Sequence, residues 1–579
     1  MTRIKVSDYI AKRLREHYDV NDIFMVSGGG AMHLNDSFGR YINYIANHHE
    51  QACSIAAEGY ARVAQKLAVV NVTTGPGGLN CLNGLFGQWT DSVPVLYISG
   101  QVKTSTCLAS CPELNLRQLG DQEVDIVSVV KPLTKFAKMI TKPEDIKYYL
   151  DKAIYEATNG RFGPVWIDVP INVQAAFIEE ESLKEFIPEV DISLDKNFDL
   201  TKFYNASKPL IVAGHGIRLS GQIENFKALI KKTNIPVVTT FNSMDVFESD
   251  DKNFVGRIGT VGQRAGNYAL QNADVVLCLG TRNNIRQVSY NWENFAKNAY
   301  KIVVDIDNAE LDKPLVIPDL KINMDLKDFI PKLNLKNCRD DGWLNFCKNV
   351  QYKYSFENIE AYKSEEEINV YDFVHELTCN MAENSILVAA NGSACVCLHQ
   401  VGIVKANQRV IFNSGNASMG YDLPAAVGAC VYSKKPVICL AGDGSIMMNI
   451  QELQTIVKNN LPIKIFVINN CGYSSIRQTQ RNFFNGRMTA SGEDSGVSVP
   501  DFCAVANAFN LKSIKLDRCE DMKDVIEYVL SCNEPILCEI VTQQEYIFQP
   551  KLSSRINPDG TMTSPALDDM YPFVKKEIY

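Results

Sequence analysis

The sequence has no apolar run of about 18 residues, the minimum for a membrane-crossing helix. It has no long Lys/Arg cluster either, and its formal charge is −9, so nothing supplies the phosphate-neutralising stripe that nucleic acid or an anionic membrane would require. A basic segment followed by a continuous apolar one is missing from the start. "MTRIKVSDYIAKRLREHYDV" reads instead as an amphipathic helix charged throughout, not a signal peptide. Cys-x-x-Cys is also missing: the 17 cysteines lie singly inside apolar runs, as at Cys81, Cys278, Cys430, Cys439 and Cys538, with Cys107/Cys111 and Cys395/Cys397 the close pairs. That pattern suits buried reduced thiols in a cytoplasmic protein rather than a disulfide framework or a zinc site. No short-period repeat is present.

What is present is an ordinary globular balance, 46% apolar and 22% charged, over 579 residues. This is too long for one hydrophobic core. Short apolar runs flanked by Gly or Pro alternate with helical periodicity in three segments. The first holds 67–74, 93–99 and 163–170; the second 208–216, 235–241, 273–280 and 300–307; the third 385–392, 436–444, 462–470 and 534–541. Continuous apolar strands separated by helices predict parallel sheets covered on both faces. The expectation is an α/β protein of three doubly wound domains: 1–180, 200–335 and 368–550, with a loop-like tail over 551–579 that closes over the site. One topology for all three is a further expectation.

Two polar marks stand out in the third segment, Gly442-Asp443-Gly444 and Asn469-Asn470, 24 residues apart and each directly after an apolar strand. Open parallel sheets bind ligands beyond the carboxyl ends of their strands, where helix N-termini offer free N–H groups. Asp443 and Asn470 would there meet as two hard oxygen ligands, a combination that suits Mg²⁺ or Ca²⁺ with ligand phosphates completing the shell. Either mark alone is a common turn.

Together they resemble the diphosphate-binding motif of the thiamine-diphosphate (ThDP) enzymes, and "GDGSIMMNIQEL" resembles acetolactate synthase in particular. The resemblance implies Mg²⁺ on Asp443, Asn470 and the Gly472 carbonyl. It implies cofactor contacts from Gly442, Gly444, Ser445 and Tyr473, and from Asn391, Gly392 and Ser393 of "NGS". "ANHHEQACSIAAEGYARVAQ" is similar to the family's HEQ…AEGYAR stretch and places the cofactor-activating acid at Glu50, at the end of the short strand "YINYIA" and in an apolar setting. "TTGPGGLNCLNGLFGQWTDSVPVLYISGQ" is similar to its GPG…N pattern, assigning Pro76 and Asn80 to the cofactor, while Gly28, Gly29 and Gly30 resemble its PGG loop. "NASMGYDLPAA" resembles MGFGLPAA, which makes Met419 the apolar side chain under the cofactor rings and the Ala417 carbonyl the acceptor of its amino group. Taken bare, Glu50 is a first-turn helix charge and Met419 core filler.

The resemblance implies decarboxylation of a 2-keto acid such as pyruvate and transfer of the acyl carbanion to an acceptor carbonyl, at a site shared between subunits of a homodimer or homotetramer. Gln122 corresponds to the family's FQE glutamine, and Asp121 replaces its aromatic, which points to a polar acceptor, a keto-sugar included. Arg477 stands either as a clamp on a substrate carboxylate or phosphate or as an exposed helix residue. "GTRNNIR" keeps Arg282 and Arg286 of the family's flavin motif without its aspartates and aromatic, leaving FAD or a purely structural middle domain as alternatives. A simple decarboxylase, a flavin-linked oxidase and a catalytically silent ThDP-binding paralogue are the rival readings.

Overall fold

The computed structural model describes residues 3–188, 195, 197–335 and 341–579. Three six-stranded sheets organise it, and every neighbouring pair within them is parallel. The first runs, edge to edge, Asn43–Ala46, Asp22–Met25, Ala68–Val72, Val95–Gln101, Val165–Pro170, Phe136–Met139. The second runs Phe254–Arg257, Val237–Thr239, Pro209–Ala213, Val275–Leu279, Tyr300–Asp305, Leu320–Asn323. The third runs Arg409–Ile411, Ile386–Ala389, Val437–Gly442, Ile463–Asn469, Ile536–Val541, Lys512–Leu516. Each apolar run singled out from the sequence forms a strand.

The expectation of one topology for all three is corrected. In chain order the first and third sheets read 2-1-3-4-6-5, whereas the middle sheet reads 3-2-1-4-5-6. Both orders reverse beside the first strand, and that reversal opens a crevice at the carboxyl edge. In the first sheet the crevice lies between Asp22–Met25 and Ala68–Val72; in the third, between Ile386–Ala389 and Val437–Gly442.

The outer domains pack through helices Glu50–Ala64 and Asp422–Ser433. Both are built from small residues, and a Cβ on Gly59 would strike the Ala425 carbonyl, one on Gly428 the Ala56 carbonyl. Bare backbone is what lets these helices touch, so the shared core runs unbroken from Val70 and Tyr97 to Val437 and Ile465. A buried ionic network crosses the same contact. Arg62 donates to Glu58 (2.9 Å) and Asp91 (2.7 Å), Tyr421 donates to Glu58 (3.1 Å), and the Ser414 N–H donates to Asp91 (3.2 Å). Burial raises the Glu58 carboxyl to about 7 despite Arg62.

The tail does not hang free over the site. Leu567 is buried in the middle-domain core, and Arg264 donates to the Met570 and Pro572 carbonyls. At its beginning Lys551 reaches toward the third domain, donating to Gln478 at 2.5 Å.

Candidate functional site

Asp443 leaves the end of strand Val437–Gly442 and is 2% exposed. Its carboxylate accepts the backbone N–H groups of Gly444 (2.6 Å), Asn470 (3.0 Å) and Gly472 (2.9 Å), so it is tied to the loop that follows strand Ile463–Asn469. Burial raises its pKa, with the three N–H groups pulling the other way. Asn470 donates its amide N–H to the Tyr546 hydroxyl at 3.2 Å, and its side-chain oxygen, buried, has no partner. An orphaned buried acceptor beside a buried carboxylate is costly unless something fills the gap. Gly472 has φ +117°, and a Cβ there would lie 2.8 Å from the Ser491 carbonyl oxygen, so this turn requires glycine. Carboxylate, amide oxygen and loop carbonyl make a hard-oxygen set that fits a divalent cation.

Across the crevice, Gly392 at φ +79° turns the chain into helix Ser393–Val401, whose free N–H groups face the same edge. Asn391 donates to the Ser418 carbonyl at 2.7 Å, and the Ser393 hydroxyl meets that of Tyr546. The 413–420 stretch brings Ala417, held at φ +55°, and Met419, whose terminal methyl would lie 3.5 Å from a Cβ on Gly444. The Tyr473 ring leaves no room for any side chain at 444. Gly442 has open space around its Cα. The Ser445 hydroxyl donates to Asp422 at 2.5 Å and accepts the Gly420 N–H at 2.9 Å, so that group fixes the 420–422 turn.

In the first domain, Glu50 opens its helix directly after His49, whose ring nitrogen accepts the Gln51 N–H at 3.1 Å. Glu50 is half-buried, and its carboxylate accepts the Asn80 amide at 2.9 Å rather than sitting among apolar groups alone. Asn80 ends the helix that Pro76 begins, and Gly75 before it, at φ +61°, abuts the Gln122 carbonyl. Gly28 and Gly30 lie against Thr73 and Thr74, the Gly30 N–H donating to Thr73 at 3.0 Å, while Gly29 is unobstructed. Asp121 and Gln122 are exposed on the following loop, which buried Glu123 organises by accepting three backbone N–H groups.

The substrate-clamp reading of Arg477 is overturned. The side chain is 7% exposed, and its terminal nitrogens donate to four backbone carbonyls: Cys471 (3.0 Å), Ser491 (3.2 Å), Asn470 (2.8 Å) and Gln544 (2.9 Å). Its donors are spent on holding the 470–472 loop. Two residues escaped the sequence reading. Glu452 is fully buried and accepts from Asn47 (2.8 Å) and the His48 N–H (3.0 Å), fastening the approach to Glu50 onto the third domain. Tyr546 lies beyond the last long strand, where no periodicity marks it. Only the helical phase of "NIQEL" offered a signal for the former.

The middle sheet opens a crevice of about 150 Å³ at its own reversal, between His215–Gly216 and Gly280–Arg282, with Arg161 and Asp305 on its wall. Arg282 donates to the Thr90 carbonyl, and Arg286 lies over the Phe241 ring at 4.4 Å. Asp305, buried at a strand end, is raised to about 6.

The chain matches three family profiles: the N-terminal TPP-binding domain of thiamine pyrophosphate enzymes over residues 4–129, their central domain over 200–333 and their C-terminal TPP-binding domain over 390–540. It is 31% identical to the acetolactate synthase large subunit of Lactococcus lactis over 566 residues, 96% of this chain and 95% of that protein. The large subunit from Cyanidium caldarium is 30% identical over 90% of this chain and 91% of its own length; isozyme 2 of Escherichia coli is 29% identical over 90% and 92%. With that similarity running the length of the chain and the two strand-end crevices it predicts in place, the protein belongs to the thiamine pyrophosphate enzymes, as an acetolactate synthase-like member.

Proposed function

We propose that the enzyme decarboxylates a 2-keto acid, pyruvate first among them, and transfers the two-carbon unit to the carbonyl of a polar acceptor. The observation that carries the cation part of this reading is the partnerless Asn470 oxygen beside the Asp443 carboxylate. Asp443, Asn470 and the Gly472 carbonyl would hold Mg²⁺, with the helix at Ser393 and the Gly442–Gly444 turn receiving the diphosphate. ThDP, when bound, supplies the carbon nucleophile that makes keto-acid decarboxylation accessible. The protein's part is to orient and to move one proton. Glu50, held by Asn80, is the acid for the ring nitrogen of the aminopyrimidine, Ala417 offers its carbonyl, and Met419 supplies bulk beneath the rings.

A polar acceptor is favoured by the exposed Asp121 and Gln122 and by Ser475, whose hydroxyl would lie 3.8 Å from a Cβ on Gly392. A shared site between copies is supported by exposed apolar side chains beside both halves: Leu79 and Phe86 near Glu50, Met447 and Met448 after the Asp443 turn. The domain limits 1–180, 200–335 and 368–550 follow the same division of labour. A cytoplasmic setting agrees with free thiols at Cys81, Cys278, Cys430, Cys439 and Cys538. Among the described residues no helix is long and apolar enough to cross a membrane. The middle crevice, at the strand-order reversal and with Asp305 on its wall, is where the nucleotide half of FAD would bind; flavin absorbance released on denaturing the purified protein tests it, and a colourless supernatant counts against it.

The central test is mass spectrometry of products from pyruvate with keto-acid, aldehyde and keto-sugar acceptors. A ligated product sustains the proposal. Acetaldehyde alone would make it a simple decarboxylase, and no CO₂ from any keto acid would make it a silent paralogue.

A further inference from the structure

Tyr546 stands where the tail leaves strand Ile536–Val541, with its side chain folded back into the crevice. The Gln478 amide holds its backbone carbonyl at 3.0 Å, and the Phe548 ring lies edge-on at 5.6 Å. Its hydroxyl bonds the Asn470 amide N–H at 3.2 Å and the Ser393 hydroxyl from opposite walls of the crevice, and the Ser474 side chain as well. Serine, phenol and amide thus form one buried chain of hydrogen bonds.

Such a chain has a direction. Asn470 donates to the phenol oxygen, so the phenol keeps its own proton to give, and the Ser393 and Ser474 hydroxyls are its partners. Where the phenol gives its proton to Ser393, that hydroxyl retains its own proton to donate outward. Asn470, its N–H committed, is left with the bare oxygen that has no partner. Reversing every bond would turn an N–H toward the cation and a lone pair toward the anion, wrong at both ends. We propose that Tyr546 is a positioning residue for the metal-diphosphate site: its phenol turns the Asn470 oxygen toward the cation and the Ser393 proton toward the diphosphate. The inference rests on the cation reading above and adds to it a residue that touches neither group.

The test compares Tyr546→Phe with the wild type by titrating Mg²⁺ at fixed ThDP, and ThDP at saturating Mg²⁺, using calorimetry, alongside thermal unfolding of the cofactor-free protein. Loss of an outer partner of a metal ligand weakens metal affinity by roughly ten- to a hundred-fold. That shift in Mg²⁺ half-saturation is expected here, with cofactor-free unfolding close to wild type. Tyr362→Phe, which removes another buried phenol bonded to the tail at the Gln549 carbonyl (2.9 Å), should leave the Mg²⁺ curve in place. Unchanged Mg²⁺ half-saturation in Tyr546→Phe overturns the inference, as does an equal shift in Tyr362→Phe. Should Tyr546→Phe not fold, Ser393→Ala decides. It removes that acceptor of the phenol, so Mg²⁺ half-saturation should rise several-fold, and an unmoved curve refutes the chain. If the wild type binds ThDP without any Mg²⁺ dependence, the cation reading itself fails, which separates the two failures.

Discussion

The first and third domains repeat one arrangement and use it oppositely. In each, an acid on the sixth strand faces, across the ladder, a residue two positions before an amide at the end of the fourth strand: Asp168 opposite Ser99, then Gln101; Glu539 opposite Val467, then Asn469. In each the acid accepts that amide, Gln101 to Asp168 at 3.0 Å and Asn469 to Glu539 at 2.7 Å. They diverge at the end of the third strand. In the first domain Thr74 donates to Gln101 at 2.6 Å, and the pair satisfies itself. In the third, Asp443 takes backbone N–H groups, and Asn470 keeps an oxygen with no partner. The shared topology builds two crevices, and the cation site proposed above falls at the one where a strand-end carboxylate is tied to the loop of the unpartnered Asn470 oxygen.

The sharpest way to break this contrast is Asp443→Ala, which should abolish Mg²⁺-dependent retention of ThDP on gel filtration, as the loop it ties loses its carboxylate. Equal retention in the presence of chelator would end the cation assignment. Glu50→Gln tests the opposite half: turnover should fall roughly 10²- to 10⁴-fold, the usual weight of a proton-transfer group, while calorimetric ThDP affinity stays near wild type. CO₂ release at the wild-type rate would remove Glu50 from the reaction.

Asp168 offers a subtler probe of the first domain. Burial raises it to about 7, against about 3.9 in an unfolded chain. Between those values the folded state holds a proton that the unfolded state has lost, so its contribution makes the protein less stable as pH rises through about 4 to 7, by at most about 1.4 kcal/mol per pH unit. Glu58, also raised to about 7, adds to the same slope. Urea midpoints from pH 4 to 8 should therefore slope less in Asp168→Asn than in wild type, and identical slopes would deny the raised acid. Thr74→Val should do least. Losing one buried hydrogen bond costs about 1–3 kcal/mol of stability and, because the proposed cation ligands lie in the third domain, should leave the Mg²⁺ titration untouched; a moved titration would mean that the two crevices are not as distinct as described.

Much of this was legible in the chain. Strands such as 93–99 and 462–470 are unbroken apolar runs because both faces of a parallel sheet are covered, and burial writes itself into composition. Strands Asp22–Met25, Phe136–Met139 and Lys512–Leu516 were not, being four or five residues long or, at the sheet edges, partly exposed with lysines among them. Arg477 misled for a related reason. A lone arginine on a helix advertises charge, and nothing local reveals that four carbonyls from three loops will absorb its donors.

By itself the sequence determined the parallel α/β class, the positions of Asp443, Asn470 and Glu50 at strand and helix ends, and the glycines without which the turns at 472 and 392 would be strained, because each of these follows from short-range periodicity and backbone sterics. Tertiary structure decided which polar atoms are spent and which are left over. Hydrogen-bond satisfaction depends on partners distant in the chain, and so the Ser445 hydroxyl and Arg477 became braces, the Tyr546 phenol met Asn470, and the Asn470 oxygen was left without a partner.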